Sequence, residues 1–335
     1  MKYQKFKVCC TCFTFNQAKY ITDAMNGFTM QQTSFPFICT IVDDASTDGE
    51  QEVIKKYVEE NFDFSEGSDA YHKETDYAFI TYAQHKTNKN CYFAVLYLKE
   101  NHYSKRKPKM GYLIEWRDMC EYEALCEGDD YWIMPDKLQN QVDVLDSNPE
   151  VILVHTGFKN VNEKGKEINR PKYNRFMNIS AKEKSLVSLF DKNHIMTLSC
   201  VFRMELLSNP LFANSPAFYD YSYFLASAFL GQIKYIPQIT CCYRLNPGSV
   251  MQTNRDIVNK KLYEVYRYYV LHYLTNEVHQ SLMDKIQTLF YICTNILFNR
   301  DKGMLHCVLI NKPLGYFVLP FSALFSLLKS IKNKC

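Results

Sequence analysis

Two short apolar runs constrain this chain most: Lys7 to Phe13 and Phe37 to Val42, each of strand length and each followed by helix-like periodicity. A continuous apolar run without alternation is the pattern of a strand covered on both faces, as in a parallel sheet. After the first run, Tyr20, Ile21, Ala24, Met25 and Phe28 recur at spacings of three and four, which predicts an amphipathic helix. After the second, Val53, Ile54, Tyr57 and Val58 predict another helix, running to about Asn61, with Ser46 or Thr47 available as its cap. Strand, helix, strand, helix at this pitch implies an α/β domain with parallel strands and right-handed crossovers.

Further along, residues 63 to 75 read as a polar loop and Ala78 to Ala83 as a third strand. The basic stretch His102 to Met110 reads as a solvated loop. Tyr122 to Cys126 is a short strand, and Pro135 is placed to open a helix burying Leu138, Val142 and Leu145. Val151 to Val154 is another strand, ending at His155. A polar, basic loop is expected over residues 160 to 184, then a strand from Ile195 to Phe202, a helix from about Pro216 to Leu230, and a strand from Ile233 to Tyr243. Beyond about Asp256 only helical patterns follow. The expected organisation is therefore an α/β domain over residues 1–255 and a helical C-terminal region over 256–335. Within the latter, Leu314 to Leu328 is apolar but interrupted by proline, and too short for a membrane span, which needs about 20 residues. It reads as a packed helix or as an in-plane membrane contact helped by Lys329, Lys332 and Lys334.

Bulk composition excludes little but fits this picture. A formal net charge of +3 over 335 residues is too mild to point to nucleic acid. The start of the chain, short and polar before its first strand, suggests no signal peptide. The thirteen cysteines then read as reduced thiols of a cytoplasmic protein. Cys9, Cys10 and Cys12 lie inside an apolar run and lack zinc-ligand spacing, so they read as small core side chains.

The chemistry-bearing residues are two acidic segments, Val42-Asp43-Asp44 and Glu127-Gly128-Asp129-Asp130, each at the carboxyl end of a predicted strand. In an open parallel sheet, ligands sit beyond those ends. Adjacent like charges there are unfavourable unless a hard cation is shared with substrate phosphates, and Mg²⁺ or Mn²⁺ commonly uses one or two carboxylates in this way. Solvated turn acids are the bland alternative. Carboxylates at strand ends do not by themselves separate sugar transfer from nucleotidyl transfer or phosphate hydrolysis.

The order of motifs carries a resemblance. Thr14-Phe15-Asn16-Gln17-Ala18-Lys19-Tyr20-Ile21, then Ile41-Val42-Asp43-Asp44-Ala45-Ser46-Thr47-Asp48-Gly49, then Glu127-Gly128-Asp129-Asp130-Tyr131-Trp132 with Pro135, Lys137-Leu138 and Gln141, resembles family 2 glycosyltransferases. It is similar to bacterial enzymes building capsular, exopolysaccharide or O-antigen chains, and spans about residues 5 to 250. The resemblance implies the GT-A fold, a Rossmann-like mixed and mostly parallel sheet flanked by helices, with a helical C-terminal extension. It also implies a nucleotide-sugar donor, inversion at the anomeric carbon, and a glycan or lipid-linked acceptor.

Carried over by position, Thr14 and Asn16 border the base pocket, and Asp43 or Asp44 hydrogen-bonds the base. Glu127 and Asp129 match the two acids of the family's metal motif, with Glu127 departing from the commoner Asp, and Asp130 lies toward sugar or acceptor. Phe13 and Phe15 also depart from the usual Pro and Tyr. Asp220 matches the acid that takes the acceptor's proton, although a first-turn helix acid is its plain reading. Tyr243-Arg244 with Ser249-Val250 resembles the segment closing these domains, so Arg244 is expected on the diphosphate. His155 reads as a structural histidine, and His85 is given no role. The rivals are a nucleotidyltransferase and a catalytically silent binding module of the same fold. Location is expected in the cytoplasm, with possible contact at the inner membrane face through the C-terminal segment.

Overall fold

The computed structural model describes residues 6–168, 185–191, 193–216, 220–246, 255–278 and 280–312, with scattered positions to 326. Its contacts divide into two compact units: Met1–Pro171, Ile195–Leu207 and Lys234–Ser249 form the first, and Lys172–His194, Ser208–Ile233 and Val250–Cys335 the second.

The first unit is built on the expected strand–helix alternation. Strand β1 (Val8–Thr14) leads to α1 (Ile21–Thr29), and β2 (Phe37–Asp43) to α2 (Glu50–Asn61). Then come β3 (Tyr71–Glu74), β4 (Ala78–Gln84) and β5 (Cys91–Leu98). A short α3 (Ile114–Arg117), β6 (Tyr122–Leu125), β7 (Tyr131–Trp132), α4 (Lys137–Ser147) and β8 (Val151–Val161) follow. Strands β9 (Cys200–Arg203) and β10 (Gln232–Arg244) complete one ten-stranded sheet in the order β3-β4-β5-β2-β1-β6-β9-β8-β10-β7.

The centre of that sheet, β5-β2-β1-β6, is parallel, and β4, β3 and β9 extend it antiparallel. Its fold is therefore the mixed α/β architecture expected, with helices beyond residue 255. Both faces of the centre are covered. Val8, Cys10 and Cys12 share a core with Ile21, Ala24, Met25, Phe28, Leu138 and Val142, while Cys9, Ile38, Val42, Ala94 and Leu96 pack with Leu113 and Trp116. Burial on both sides explains the unbroken apolar runs, since each fully buried aliphatic or aromatic side chain is worth about 1.5–3 kcal/mol. All twelve described cysteines are free, and those of β1 are core side chains.

Several elements differ from expectation. The strand Cys91–Leu98, buried at every residue beside β2, goes unread in the sequence. Ala78–Gln84 is a strand but runs antiparallel to it, and the predicted loop contains β3. Val151 begins a strand that runs to Val161, so His155 lies within it, buried and packed on Tyr235 with ring centroids 5.0 Å apart. Helix α2 starts at Glu50 after Gly49 (φ 91°), with no side-chain cap from Ser46 or Thr47. Pro135 precedes α4, whose N-cap residue is Asp136. The stretch Ile195–Phe202 becomes strand only from Cys200, after a 3₁₀ turn at Thr197–Ser199.

The second unit is helical among its described residues. It includes Asp220–Leu230, Arg255–Thr275, Leu282–Phe298 and Lys302–Asn311. Two of these start at true caps: Ser281 Oγ accepts from Asp284 N at 3.1 Å, and Asp301 Oδ1 from Met304 N at 3.0 Å. Phe190 anchors their packing, edge-on to Tyr266 and Tyr273. No described helix is long and apolar enough to cross a membrane. Seven of the fifteen positions from Leu314 to Leu328, and residues 169–184, lie outside the described residues; positions 318–323 are helical, with Ser322 Oγ donating to the Phe290 carbonyl at 3.1 Å.

Candidate active site

The register of the parallel strands assembles the site. Thr14 lies opposite Asp43, Asp43 opposite Tyr97, and Thr11 opposite Leu125, so the carboxyl ends of β1, β2, β5 and β6 share one edge. Backbone bonds extend this alignment beyond the strands. Asp44 N donates to Thr14 O at 3.0 Å, and Gly128 N to Phe13 O at 3.2 Å. The two acidic segments are thus strapped to the same strand.

On the β2 side the aspartates have different surroundings. Asp43 is fully buried; its Oδ1 accepts from Ser46 N at 3.1 Å and Gln51 Nε2 at 2.5 Å, whereas Oδ2 has no hydrogen-bond partner. Burial raises its pKa above the ordinary carboxylate value, against those hydrogen bonds. Asp44 is internally engaged: Oδ1 accepts from His102 N at 2.7 Å, and Oδ2 from Tyr103 N at 3.0 Å and Lys109 Nζ at 2.8 Å. Lys109 also lies over the Phe13 ring, and Lys105 and Lys107 both pair with Glu100. The basic segment is therefore an exposed loop, as expected, but one tied down by acids at Asp44 and Glu100.

The turn after β1 is caged by the start of α2. Asn16, at φ 55°, donates its N–H to Ser46 Oγ at 2.9 Å and accepts from Thr47 N at 2.8 Å. Ala18 N reaches Asp48 Oδ2 at 3.0 Å, and Gln17 N reaches Glu50 Oε2 at 2.9 Å. Glu50 is fully buried and hydrogen-bonds the hydroxyls of Thr14 and Ser46 as well. It was not among the residues singled out by sequence. The only signal for it is a charged residue in the first turn of α2, at a position that proves to face inward.

On the β6 side, Glu127, Asp129 and Asp130 bring one carboxylate oxygen each within 4.8 Å of one another, the only such group among the described residues. Glu127 is exposed, while Asp129 and Asp130 are buried. Burial raises the pKa of Asp129, against the opposing influence of its polar neighbours and of Arg244. Asp130 is raised further by burial and by the neighbouring Asp129. A glycine at 128 suggests close approach of a ligand to the backbone. Instead the protein fills that space: a Cβ there would overlap Thr14 Oγ1 and lie 2.7 Å from Thr14 Cβ.

Arg244 organises this turn from behind. It is 3% exposed, with its backbone N donating to Asp130 Oδ1 at 2.8 Å and Nε to the Asp129 carbonyl at 2.8 Å. Its remaining nitrogens reach Glu163 O at 2.9 Å and Asp23 Oδ2 at 2.6 Å, and the guanidinium lies over Tyr20 and Tyr131. Its planar donors serve the acidic turn and its loops. Asp220 opens the helix Asp220–Leu230 in the second unit and is exposed. Ser249 and Val250 lie outside the described residues. His85 accepts from Asn88 N at 2.9 Å through Nδ1 and packs on Phe62, and burial lowers its pKa.

No family model matches the sequence. Curated relatives, uncharacterised proteins of Mycobacterium tuberculosis and Mycobacterium bovis, are 29% identical over 237 residues, 69% of this chain and 56% of theirs. The chain thus spans little more than half the length of the curated relatives it matches. Among solved structures, S. aureus TarS 1-349 in complex with UDP superposes with a TM-score of 0.51 at 17% identity, covering 89% of this chain and 74% of that one. TarS 1-349 with UDP-GlcNAc gives 0.52 at 16%, covering 94% and 80%. The mannosyltransferase PcManGT from Pyrobaculum calidifontis, in complex with GDP-Man and Mn2+, gives 0.51 at 13%, covering 100% and 89%. At these identities the likeness shows a shared fold, the GT-A-like fold of glycosyltransferases.

Proposed function

We propose that this protein is an inverting, family 2-type glycosyltransferase. It moves a sugar from a nucleotide-diphosphate donor to a hydroxyl of a glycan or lipid-linked acceptor, in surface polysaccharide synthesis. One observation carries the reading: the triad Glu127, Asp129 and Asp130 shares a sheet edge with Asp43, whose buried Oδ2 lacks a partner. A carboxylate oxygen buried without a donor is unfavourable until a ligand N–H or O–H reaches it, which suits a nucleoside. Neighbours sharing the fold carry UDP, UDP-GlcNAc, or GDP-Man with Mn2+ in their structures, which supports a nucleotide-sugar donor.

The residues present fit a hard divalent cation. Three carboxylates converge, and Asp129 and Asp130 are held above their ordinary pKa by burial, Asp130 also by the charges of Asp129 and Glu127, which a bound cation would relieve. Glu127 and Asp129 would hold Mn²⁺ or Mg²⁺, while Asp130 has one oxygen committed to the Arg244 N–H. When bound, the ion supplies charge neutralisation for the departing nucleoside diphosphate. Thr14 and Asn16 shape the wall against which the nucleoside lies. Asp220 takes the acceptor hydroxyl's proton as its oxygen bonds to the anomeric carbon and the bond to the diphosphate breaks. Asp130 faces the sugar or acceptor. The catalytic domain is assigned to residues 1–255 and a helical region to 256–335, whose last thirty-odd residues contact the inner membrane face.

A thermal-shift panel of UDP-, GDP- and dTDP-sugars with and without Mn²⁺ tests the donor, because a ligand bound at one hundred times its Kd stabilises by about 2.7 kcal/mol. Asp220→Asn should abolish transfer while donor binding persists; wild-type turnover in that variant would refute the base assignment. Release of pyrophosphate in place of nucleoside diphosphate would identify nucleotidyl transfer instead. Equal liposome binding by the full chain and a chain ending near residue 303 would remove the membrane contact.

A further inference from the structure

The helical unit gathers exposed apolar side chains at one end. Helices Arg255–Thr275, Leu282–Phe298 and Lys302–Asn311 run back and forth, and their contacts fix two levels. At one level Tyr263 and Arg267 meet Asp301, at 3.4 and 3.0 Å. At the other, the Tyr273 hydroxyl donates to Gln280 Oε1 at 3.1 Å and its ring lies 5.6 Å from Lys312 Nζ. This second level holds Leu271, Leu282, Met283 and Ile310, which are 44%, 65%, 60% and 61% exposed. Leu282 and Met283 are adjacent in the first turn after the Ser281 cap, where helices ordinarily carry acidic or polar groups. Apolar residues scattered singly over a surface need no explanation, but four brought to the end of one bundle mark a contact surface.

Charge decides what covers this end. Residues 256–335 carry ten lysines and arginines against five aspartates and glutamates, a net of +5, while the whole chain nets +3, so residues 1–255 net −2. Lys285 and Lys312 border the apolar group; the acids there are Glu277 and Asp284, the latter bonded by Ser281 Oγ at 2.7 Å. A second copy docked end to end would bring two net-positive regions together, which is unfavourable. A bilayer with anionic headgroups suits both features, taking the apolar side chains below its headgroups and the lysines among them.

We propose that this end of the bundle, with Leu282 and Met283 at its tip, docks on a bilayer surface carrying anionic headgroups. The inference rests on the membrane contact proposed above and extends it to residues 271–283, which precede the last thirty-odd. The helices then meet the lipid by their ends, rather than one of them lying in its plane.

The test is cosedimentation of the full chain with vesicles of phosphatidylcholine alone and of an equal mixture with phosphatidylglycerol, beside thermal unfolding of each variant. Wild type should bind the mixed vesicles about tenfold or more tightly than phosphatidylcholine, and added salt should weaken that binding. Leu282→Ser combined with Met283→Ser should weaken it about tenfold or more, and the thermal midpoint should hold, because both side chains are exposed. Leu271→Ser should act in the same direction and carries the test if the double variant does not fold. Lys285→Gln removes one cation near the headgroups and should weaken binding about fivefold. Phe79→Ser, exposed in the other unit, should leave it unchanged. Wild-type binding in the folded double variant overturns this docking end and leaves a contact through the last thirty-odd residues standing. Equal binding to the two kinds of vesicle overturns the anionic surface. Self-association that the double variant abolishes, with no vesicle bound, overturns the proposal in favour of a second copy. A monomeric wild-type chain that binds neither vesicle overturns the docking end and the membrane contact together.

Discussion

Lys109 and Asp44, sixty-five residues apart, form an ion pair of 2.8 Å in which the carboxylate is 1% exposed and the ammonium 19%. The same carboxylate accepts two backbone N–H groups of the loop, so Asp44 folds residues 99–109 onto the end of β2. Asp44→Ala should therefore lower the free energy of unfolding by about 2–3 kcal/mol, discounted for the partial exposure of Lys109. Urea denaturation measures it, and a loss below about 0.5 kcal/mol would show that the pair is only a surface contact.

Its neighbour should behave in the opposite way. Asp43→Asn keeps one acceptor oxygen for Ser46 N and Gln51 but replaces the unpartnered oxygen with a donor. Nucleoside diphosphate affinity should fall about tenfold or more, the loss of a hydrogen bond to a charged acceptor. Titration calorimetry on the two variants separates a residue that reads the donor from one that builds the loop.

Asp43 also gives a pH prediction. Its folded pKa is raised, so in the window just above its unfolded value the native state holds more protons than the unfolded chain. The stability of wild type relative to Asp43→Asn should then fall as pH rises through that window, from about 3.9 upward, and level off once the folded carboxyl has ionised. A difference that grows with pH over that window would contradict the raised value.

How much of this was legible in the sequence depended on whether a residue's partner was local. Runs such as Phe37–Val42 and stripes such as Ile21, Ala24, Met25 and Phe28 report burial by their own periodicity, and the fold followed from them. Cys91–Leu98 has the same unbroken apolar character, and its length and composition alone mark it as a buried strand between two polar stretches. The partners of Arg244 and Asp44 were not legible. Asp23 lies 221 positions before Arg244, and Lys109 sits 65 after Asp44, so only the folded chain shows that both charges are consumed internally. Glu50 was hidden for a related reason, since a charged side chain in the first turn of a helix ordinarily faces water.

Arg244 accordingly predicts a structural phenotype. Replacing it with alanine removes bonds to Asp23, to the Asp129 and Glu163 carbonyls, and contacts with two tyrosine rings. The expected destabilisation is about 3–5 kcal/mol, as for a buried charge network cut on one side, with Asp130's bond to the backbone retained. Arg244→Lys should recover little, because an ammonium cannot span those directions. Wild-type stability with weakened diphosphate binding would instead support the expected phosphate role.

Gly128→Ala forces a methyl group into Thr14 and Gln17, and overpacking of this kind costs about 1–3 kcal/mol. The thermal midpoint should drop, and Mn²⁺ affinity with it, because the methyl group pushes on the turn that places Glu127 and Asp129 together. A variant with unchanged midpoint and affinity would mean that the turn has room to shift.

The central claim, a divalent cation holding a nucleotide-sugar donor between Asp43 and the Glu127–Asp130 turn, is tested most directly by donor calorimetry on wild type and Asp129→Ala. With Mn²⁺ present, at least one of the UDP-, GDP- or dTDP-sugars should bind the wild-type chain, and removal of the metal or of the Asp129 carboxylate should each abolish that binding. Donor affinity that is the same with and without Mn²⁺, or the same in Asp129→Ala as in wild type, would contradict it.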